Sequence, residues 1–189
     1  SYGLGLADFT AVRNATGVNQ ITDDAITAAK MPSGSILQTK VLMPNTGRVV
    51  LATATWTEVK NTFRLSFTPL LATSTLLIEC SFLFGGSATN IISHFKIYDI
   101  TNSSDIELSN DGSRTGVHGA ARQVDHDNND CDMMYIQVVT AATNTSARTY
   151  GLFSKNESGT ENKDFFSTPT NSTGIGYAKP VFKVTEIAA

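Results

Sequence analysis

Apolar residues recur at every second position through much of this chain. Leu76, Ile78, Cys80, Phe82 and Phe84 form one stripe, facing away from Thr75, Glu79 and Ser81, until Gly85-Gly86 ends it. Phe63, Leu65 and Phe67 alternate with Arg64, Ser66 and Thr68, and Pro69 closes that run. This period of two predicts half-buried strands. Val50, Ala52, Ala54 and Trp56 share one side of a further expected strand. Ile36 to Met43, Ile91 to Ile100, Met133 to Val139, Arg148 to Phe153 and Val181 to Ile187 bring the set to about eight, with turn residues between them and no helical pattern of core length. The expected fold is all-β, an antiparallel β-sandwich of jelly-roll type.

Two of these strands are apolar on both faces. Met134, Ile136 and Val138 are backed by Met133, Tyr135 and Val139, and Phe95 and Ile97 are backed by Tyr98 and Ile100. A sandwich strand needs one apolar face. The second is covered either by a loop or arm of the same chain or by another subunit, because obligate oligomers bury surfaces composed like a divided core.

The first residues follow a different pattern. Ser1 to about Met31 is rich in alanine and poor in strand signals, and Ile21 to Lys30 reads as a short helix capped by Thr22, with Asp23 and Asp24 at its positive end and Lys30 at the other. Pro32 and Gly34 stop it. A helix of about ten residues is marginal alone in water and must pack on something. The chain therefore divides into an N-terminal arm, residues 1–34, and a β-sandwich body, residues 35–189, and the arm is expected to dock or to join a trimer.

Composition narrows the partners. Charged residues make up 16% of the 189, against about 25% in an average domain, and the formal net charge is −3. No basic cluster would steer the chain onto nucleic acid, and no apolar run approaches the roughly 20 residues of a membrane span. Neither nucleic-acid binding nor membrane insertion is expected. Ser1 to Phe9 lack the basic start and apolar middle of a signal peptide, which predicts a protein made in a cytoplasm.

Candidate chemistry is sparse. Asp125, Asp127 and Asn129 occupy the first three ligand spacings of a calcium-binding loop, but Asp130 stands where the sharp turn needs Gly and Ile136 where a bidentate Glu is required. A solvated turn from Asp125 to Asp132, around His126, fits better. His94, His118 and His126 share no metal spacing, Cys80 reads as a core residue, and Cys131 lacks an activating histidine nearby in sequence. No nucleophile elbow, phosphate loop or dinucleotide fingerprint is present. The expectation is a protein that is not an enzyme, with no catalytic, cofactor-binding or metal residues and no cofactor.

Two long polar stretches remain, Ser109 to Asn129 and Lys155 to Gly176. The second carries Phe165 and Phe166 and ends beside Tyr177. Aromatics among hydrogen-bonding side chains suit a sugar surface if exposed, and otherwise are ordinary core residues under variable loops.

Ile26-Thr27-Ala28-Ala29-Lys30-Met31-Pro32-Ser33-Gly34-Ser35-Ile36-Leu37-Gln38 resembles a stalk-to-sandwich segment of tail-fibre and related virion appendage proteins of bacteriophages, particularly those of marine and freshwater bacteria, cyanophages among them. Leu65 to Pro69 with Ser74 to Ile78, then Phe95 to Asp99, then Phe182 to Ile187, are similar to later segments of that family, in the same order. Leu70-Leu71 departs from it, standing where serines are usual. The resemblance implies a homotrimeric β-sandwich module on the virion, assembled in the host cytoplasm. It implies a short fibre or capsid decoration protein fastened to other virion proteins through its arm; a host surface glycan is a further expected partner on the separate ground of the long polar stretches with their aromatics. It carries no catalytic or binding residues to transfer.

Overall fold

The computed structural model describes residues 27–45, 47–86, 92–122, 131–157, 162–166 and 178–189. Its strands are β1 (Ile36–Leu42), β2 (Val49–Leu51), β3 (Thr57–Glu58), β4 (Arg64–Phe67), β5 (Thr75–Gly86) and β6 (Ile92–Asp99). They continue with β7 (Ser104–Asp105), β8 (Gly119–Arg122), β9 (Cys131–Ala141), β10 (Arg148–Asn156), β11 (Lys163–Phe165) and β12 (Val181–Ile187). All pair antiparallel, in two sheets of six strands each.

The register shows that several short strands are pieces of one lane. β12 and β11 lie end to end along the same side of β5, Ile187 to Val181 opposite Thr75 to Ser81 and Phe165 to Lys163 opposite Phe84 to Gly86. β1 and β2 flank them in the same way, and β9 pairs with the other side of β5. In the second sheet β4 and β3 share one side of β10, while β8 and β7 share one side of β6. Counted in chain order, the described strands form eight lanes. Sheet A runs 1-8-3-6 and sheet B runs 2-7-4-5, so that each lane of the first half pairs with its counterpart from the second half. A long antiparallel hairpin wrapped over itself produces that order, which is a jelly roll. The all-β sandwich expected from the sequence is the fold observed.

Sequence pattern explains what lies between the sheets. The β5 stripe faces inward, with Leu76, Ile78, Cys80 and Phe84 fully buried and Phe82 nearly so. Phe63, Leu65 and Phe67 meet it from lane 2 and Phe95 and Ile97 from lane 4. Phe95 stands edge-on to Phe84 at 4.8 Å and to Phe82 at 5.3 Å between ring centroids. Each such side chain contributes about 1.5–3 kcal/mol by leaving water.

Three expectations need correction here. Val50, Ala52, Ala54 and Trp56 do not share a strand: β2 ends at Leu51, the chain crosses between the sheets over residues 52–56, and Trp56 emerges on sheet B beside β3. The Ser109 to Asn129 and Lys155 to Gly176 stretches are not wholly loop, since they contain β8 and β11. Of the helix expected from Ile21 to Lys30, the described part is a single 3-10 turn, Ala28–Lys30, preceded by extended Thr27. Most of that helix, and the arm before it, lies outside the described residues.

Candidate functional site

The outer face of sheet B carries three rows of side chains set by register. Arg64, Gly151, Tyr98 and Asp105 form one row, and Glu58, Phe153 and Lys96 the next. Lys155 and His94 form the third, which Trp56 extends one residue before β3. Lys96 is 5% exposed, with its ammonium 4.5 Å from the Trp56 ring centroid and 4.7 Å from that of Tyr98. It also forms an ion pair with Asp105. A buried ammonium needs such company, since desolvation would otherwise expel it. Tyr98 packs on Phe153 at 4.8 Å, and Arg64 grips Glu58 through two hydrogen bonds of 2.6 Å. The strand found apolar on both sides, Ile91 to Ile100, is thus covered by its own chain.

Where this aromatic row ends, a cleft of about 330 Å³ opens between His94, Ser113, Arg114, Thr115, Lys155 and Glu157. The two polar stretches singled out in the sequence meet here, one supplying Ser113 to Thr115 and the other Lys155 and Glu157. Lys155 lies 5.3 Å from the Trp56 centroid and, among the described residues, has no carboxylate within ion-pair distance. Nδ1 of His94 is buried with no hydrogen-bond partner among the described residues. Burial, and then the neighbouring Lys155 charge, hold the imidazole below its ordinary range against the opposing pull of Glu157.

A second cleft, of about 340 Å³, lies at one end of the sandwich and includes Asp99, Asp105, Glu107, Thr140, Arg148 and Tyr150. Several of its polar groups hold turns, while the Tyr150 hydroxyl and Arg148 Nε are buried without a hydrogen-bond partner among the described residues. Asp99 accepts from the Asn102 amide at 3.0 Å and from Asn102 Nδ2 at 2.7 Å, and Glu107 accepts from Thr140 at 2.8 Å. Arg148 donates to the Ala142 carbonyl and to Thr143 Oγ1.

Sheet A presents a different outer face. Met133, Tyr135 and Val139 of β9 are 61%, 55% and 56% exposed, and Ile36 and Val41 of β1 are 65% and 50% exposed. Leu77 and Leu83 of β5 and Val181 and Ile187 of β12 lie half-buried between them. One polar row crosses this surface, where Lys183 pairs with Glu79 at 2.5 Å and Tyr135 donates to Glu79. That hydrogen bond holds the Tyr135 phenol above its usual range.

Several residues singled out in the sequence serve the fold. Phe165 and Phe166 are fully buried, which decides between the two alternatives open in the sequence: they are core residues and not exposed sugar contacts. Neighbouring side chains of a straight strand point to opposite faces, and Phe166 escapes that rule with φ 69°, which turns its ring inward to meet Phe63 edge-on at 5.3 Å. The aromatic on the outer face of sheet B that sequence reasoning did not place there is Trp56, whose crossing between sheets no periodicity signals. His118 accepts the Ile97 amide on Nδ1 at 2.8 Å and lies 2.9 Å from the Ile106 carbonyl through Nε2. Cys80 is a buried core thiol, pushed up by desolvation, and Cys131 begins β9 opposite Gly85. Asp132 is exposed beside it. Asp125, His126, Asp127, Asn129, Asp130 and Tyr177 lie outside the described residues. Among the described residues no group of three or more His, Cys, Asp or Glu could hold a metal ion, and no helix is long and apolar enough to cross a membrane.

No protein-family model matches the chain, and no curated protein matches it. Among solved structures it is similar to a chain of the infectious bursal disease virus Gt strain, with 11% identity and a TM-score of 0.43 over 83% of this chain and 38% of that one. The VP2 subviral particle of infectious bursal disease virus gives 12% identity and a TM-score of 0.41 over 82% and 39%. The CBM22-1 xylan-binding domain of Paenibacillus barcinonensis Xyn10C gives 12% identity and a TM-score of 0.34 over 84% and 99%. The chain spans about two-fifths of the viral chains it matches.

Proposed function

We propose that this chain is a structural component of a bacteriophage particle, a jelly-roll module that associates with copies of itself as a homotrimer. It serves as a short fibre or capsid decoration protein and is fastened to other virion proteins by residues 1–34. The observation that carries the reading is the apolar outer face of sheet A. Four lanes about 4.8 Å apart and nine residues rising about 3.4 Å each make a face of roughly 500 Å². Its exposed apolar side chains share that area with polar ones such as Lys183, Glu79 and Gln137, and the largest apolar patch on an ordinary monomer, about 300–600 Å², is often functional. The ion pair of Lys183 with Glu79 is already neutralised within the subunit, so a partner can cover it without stranding a charge. The ordered resemblance to phage appendage modules supports the virion setting.

Light scattering coupled to size exclusion tests this at once. The expected mass is three times the 20.2 kDa of one chain, and a single 20.2 kDa species at micromolar concentration overturns the reading. Counting copies per particle by quantitative mass spectrometry then separates decoration, with hundreds of copies, from a fibre, with a few to a few dozen.

A second reading, compatible with the first, is recognition of a host surface glycan. Trp56, Tyr98 and Phe153 favour it, because they lie in adjoining rows on the outer face of sheet B and lead into a cleft lined by hydroxyls and charges. A glycan array probed with the purified full chain tests it, and absence of binding to any glycan overturns it.

A further inference from the structure

Charge on the outer face of sheet B is unevenly neutralised. Arg64 has Glu58 and Lys96 has Asp105, yet Lys155 has no carboxylate within ion-pair distance among the described residues. Arg114, across the cleft, is paired among the described residues with Asp111 alone, at 3.8 Å, with both side chains almost fully exposed, so its guanidinium can turn inward at little cost. Among the described residues Glu157 is the one carboxylate on the lining, against the two cations Lys155 and Arg114, on a chain whose formal charge is −3. The hydroxyls of Ser113 and Thr115, the unpartnered Nδ1 of His94 and the Trp56 ring adjoin these cations. The volume of about 330 Å³ lies at the small end of the roughly 300–1,000 Å³ range of ligand pockets.

We propose that this cleft, with Trp56 beside it next to Lys155, binds a sugar residue carrying a carboxylate or sulfate group. Lys155 and Arg114 take the anion, the Ser113 and Thr115 hydroxyls and Glu157 take ring hydroxyls, and the C–H face of the sugar lies against the indole. This rests on the glycan-recognition reading and specifies which glycans are recognised.

The test uses the full chain and matched oligosaccharides that end in galactose, glucuronate, N-acetylneuraminate or sulfated galactose, measured by array and titration calorimetry. Anionic ends are expected to bind at least tenfold more tightly than galactose, and the arms show whether carboxylate or sulfate is preferred. Lys155→Gln is expected to remove most of that preference at unchanged melting temperature, Lys155→Arg to keep it, and Trp56→Ala to weaken every ligand alike. Titration of the unsubstituted protein followed by amide chemical shifts should move the signals of Ser113 to Thr115 and Lys155 first. Equal binding of neutral and anionic ends overturns this inference and leaves glycan recognition standing, as does a site whose shifts lie elsewhere. Failure to bind any of the four ends, with no other glycan bound, overturns both.

Discussion

Glu186 shows what a single residue does when the fold gives it a buried charge. Its carboxylate is fully buried on β12 and accepts from the Leu70 and Leu71 amides at 2.9 Å and from Ser74 Oγ and Gln38 Nε2 at 2.6 Å. Burial by itself would push this carboxyl up, but the donors from Ser74, Leu70, Gln38 and Leu71 together outweigh it and hold the group below its ordinary 4.5. Three segments far apart in sequence, β1, the turn before β5 and β12, are thereby joined at one point. Glu186→Gln should cost about 2–4 kcal/mol, since hydrogen bonds to a charged group are the strong ones and the amide leaves buried donors unmet. Thermal melts should show a fall of roughly 5–15 °C in Tm, and a change under about 2 °C would rule this role out. A carboxyl with a lowered folded-state pKa contributes fully above its unfolded value and loses that contribution as pH falls through the folded one. The gap between the two proteins should therefore narrow below pH 4.5.

His118 acts on an element, because lane 5 of sheet B is broken. β7 ends at Asp105 and β8 begins at Gly119, so nothing in the backbone of that lane meets the Ile97 amide, and the imidazole bridges the gap from Ile97 to the Ile106 carbonyl. An amide donating to Nδ1 requires the neutral ring with its proton on Nε2. Burial accordingly holds the group below its ordinary 6.5, against the pull of the Ile106 hydrogen bond. By the same linkage, the stabilisation is complete above about pH 6.5 and is lost as pH falls, when the unfolded chain takes up the proton first. His118→Ala should cost about 1–3 kcal/mol and speed exchange of the Ile97 amide. Unchanged exchange there would refute the bridge. No such role is legible in a lone histidine between Val117 and Gly119, since the groups it bridges, on Ile97 and Ile106, lie more than ten positions away in sequence. What was legible was local: the β5 stripe and the Phe63 to Phe67 alternation read directly as strands because one face of each meets the core. The β11 part of lane 8, whose other part β12 was expected as Val181 to Ile187, and Trp56, which crosses between sheets, were not legible. Their placement depends on pairing with β5 and β10, which periodicity does not encode. The cleft was half legible, as two polar stretches whose meeting only the jelly roll decides.

For the whole molecule the question is how two faces of one sandwich divide the work. Met133, Tyr135 and Val139 point outward on β9, whose side away from β5 pairs with no strand among the described residues, so this strand offers an apolar face at an edge of the described sheet A. Sheet B presents instead paired charges and aromatics, a surface that stays wet and suits a polar ligand. Burying sheet A between subunits therefore leaves sheet B outward on every copy, and a trimer would present three equivalent clefts, which raises avidity for a repeated surface ligand by orders of magnitude. Replacing Met133 and Val139 together with Glu tests this division. Both side chains project away from the core, so the variant should fold with a Tm within a few degrees of the parent, while two buried carboxylates per subunit would make association costly. Light scattering should then report the mass of one chain where the parent gives three. Binding of monomeric glycan should be unchanged, and binding to a glycan-coated surface should fall at least a hundredfold. A variant that remains trimeric would show that sheet A does not form the interface, and equal surface binding by a monomeric variant would separate recognition from assembly altogether.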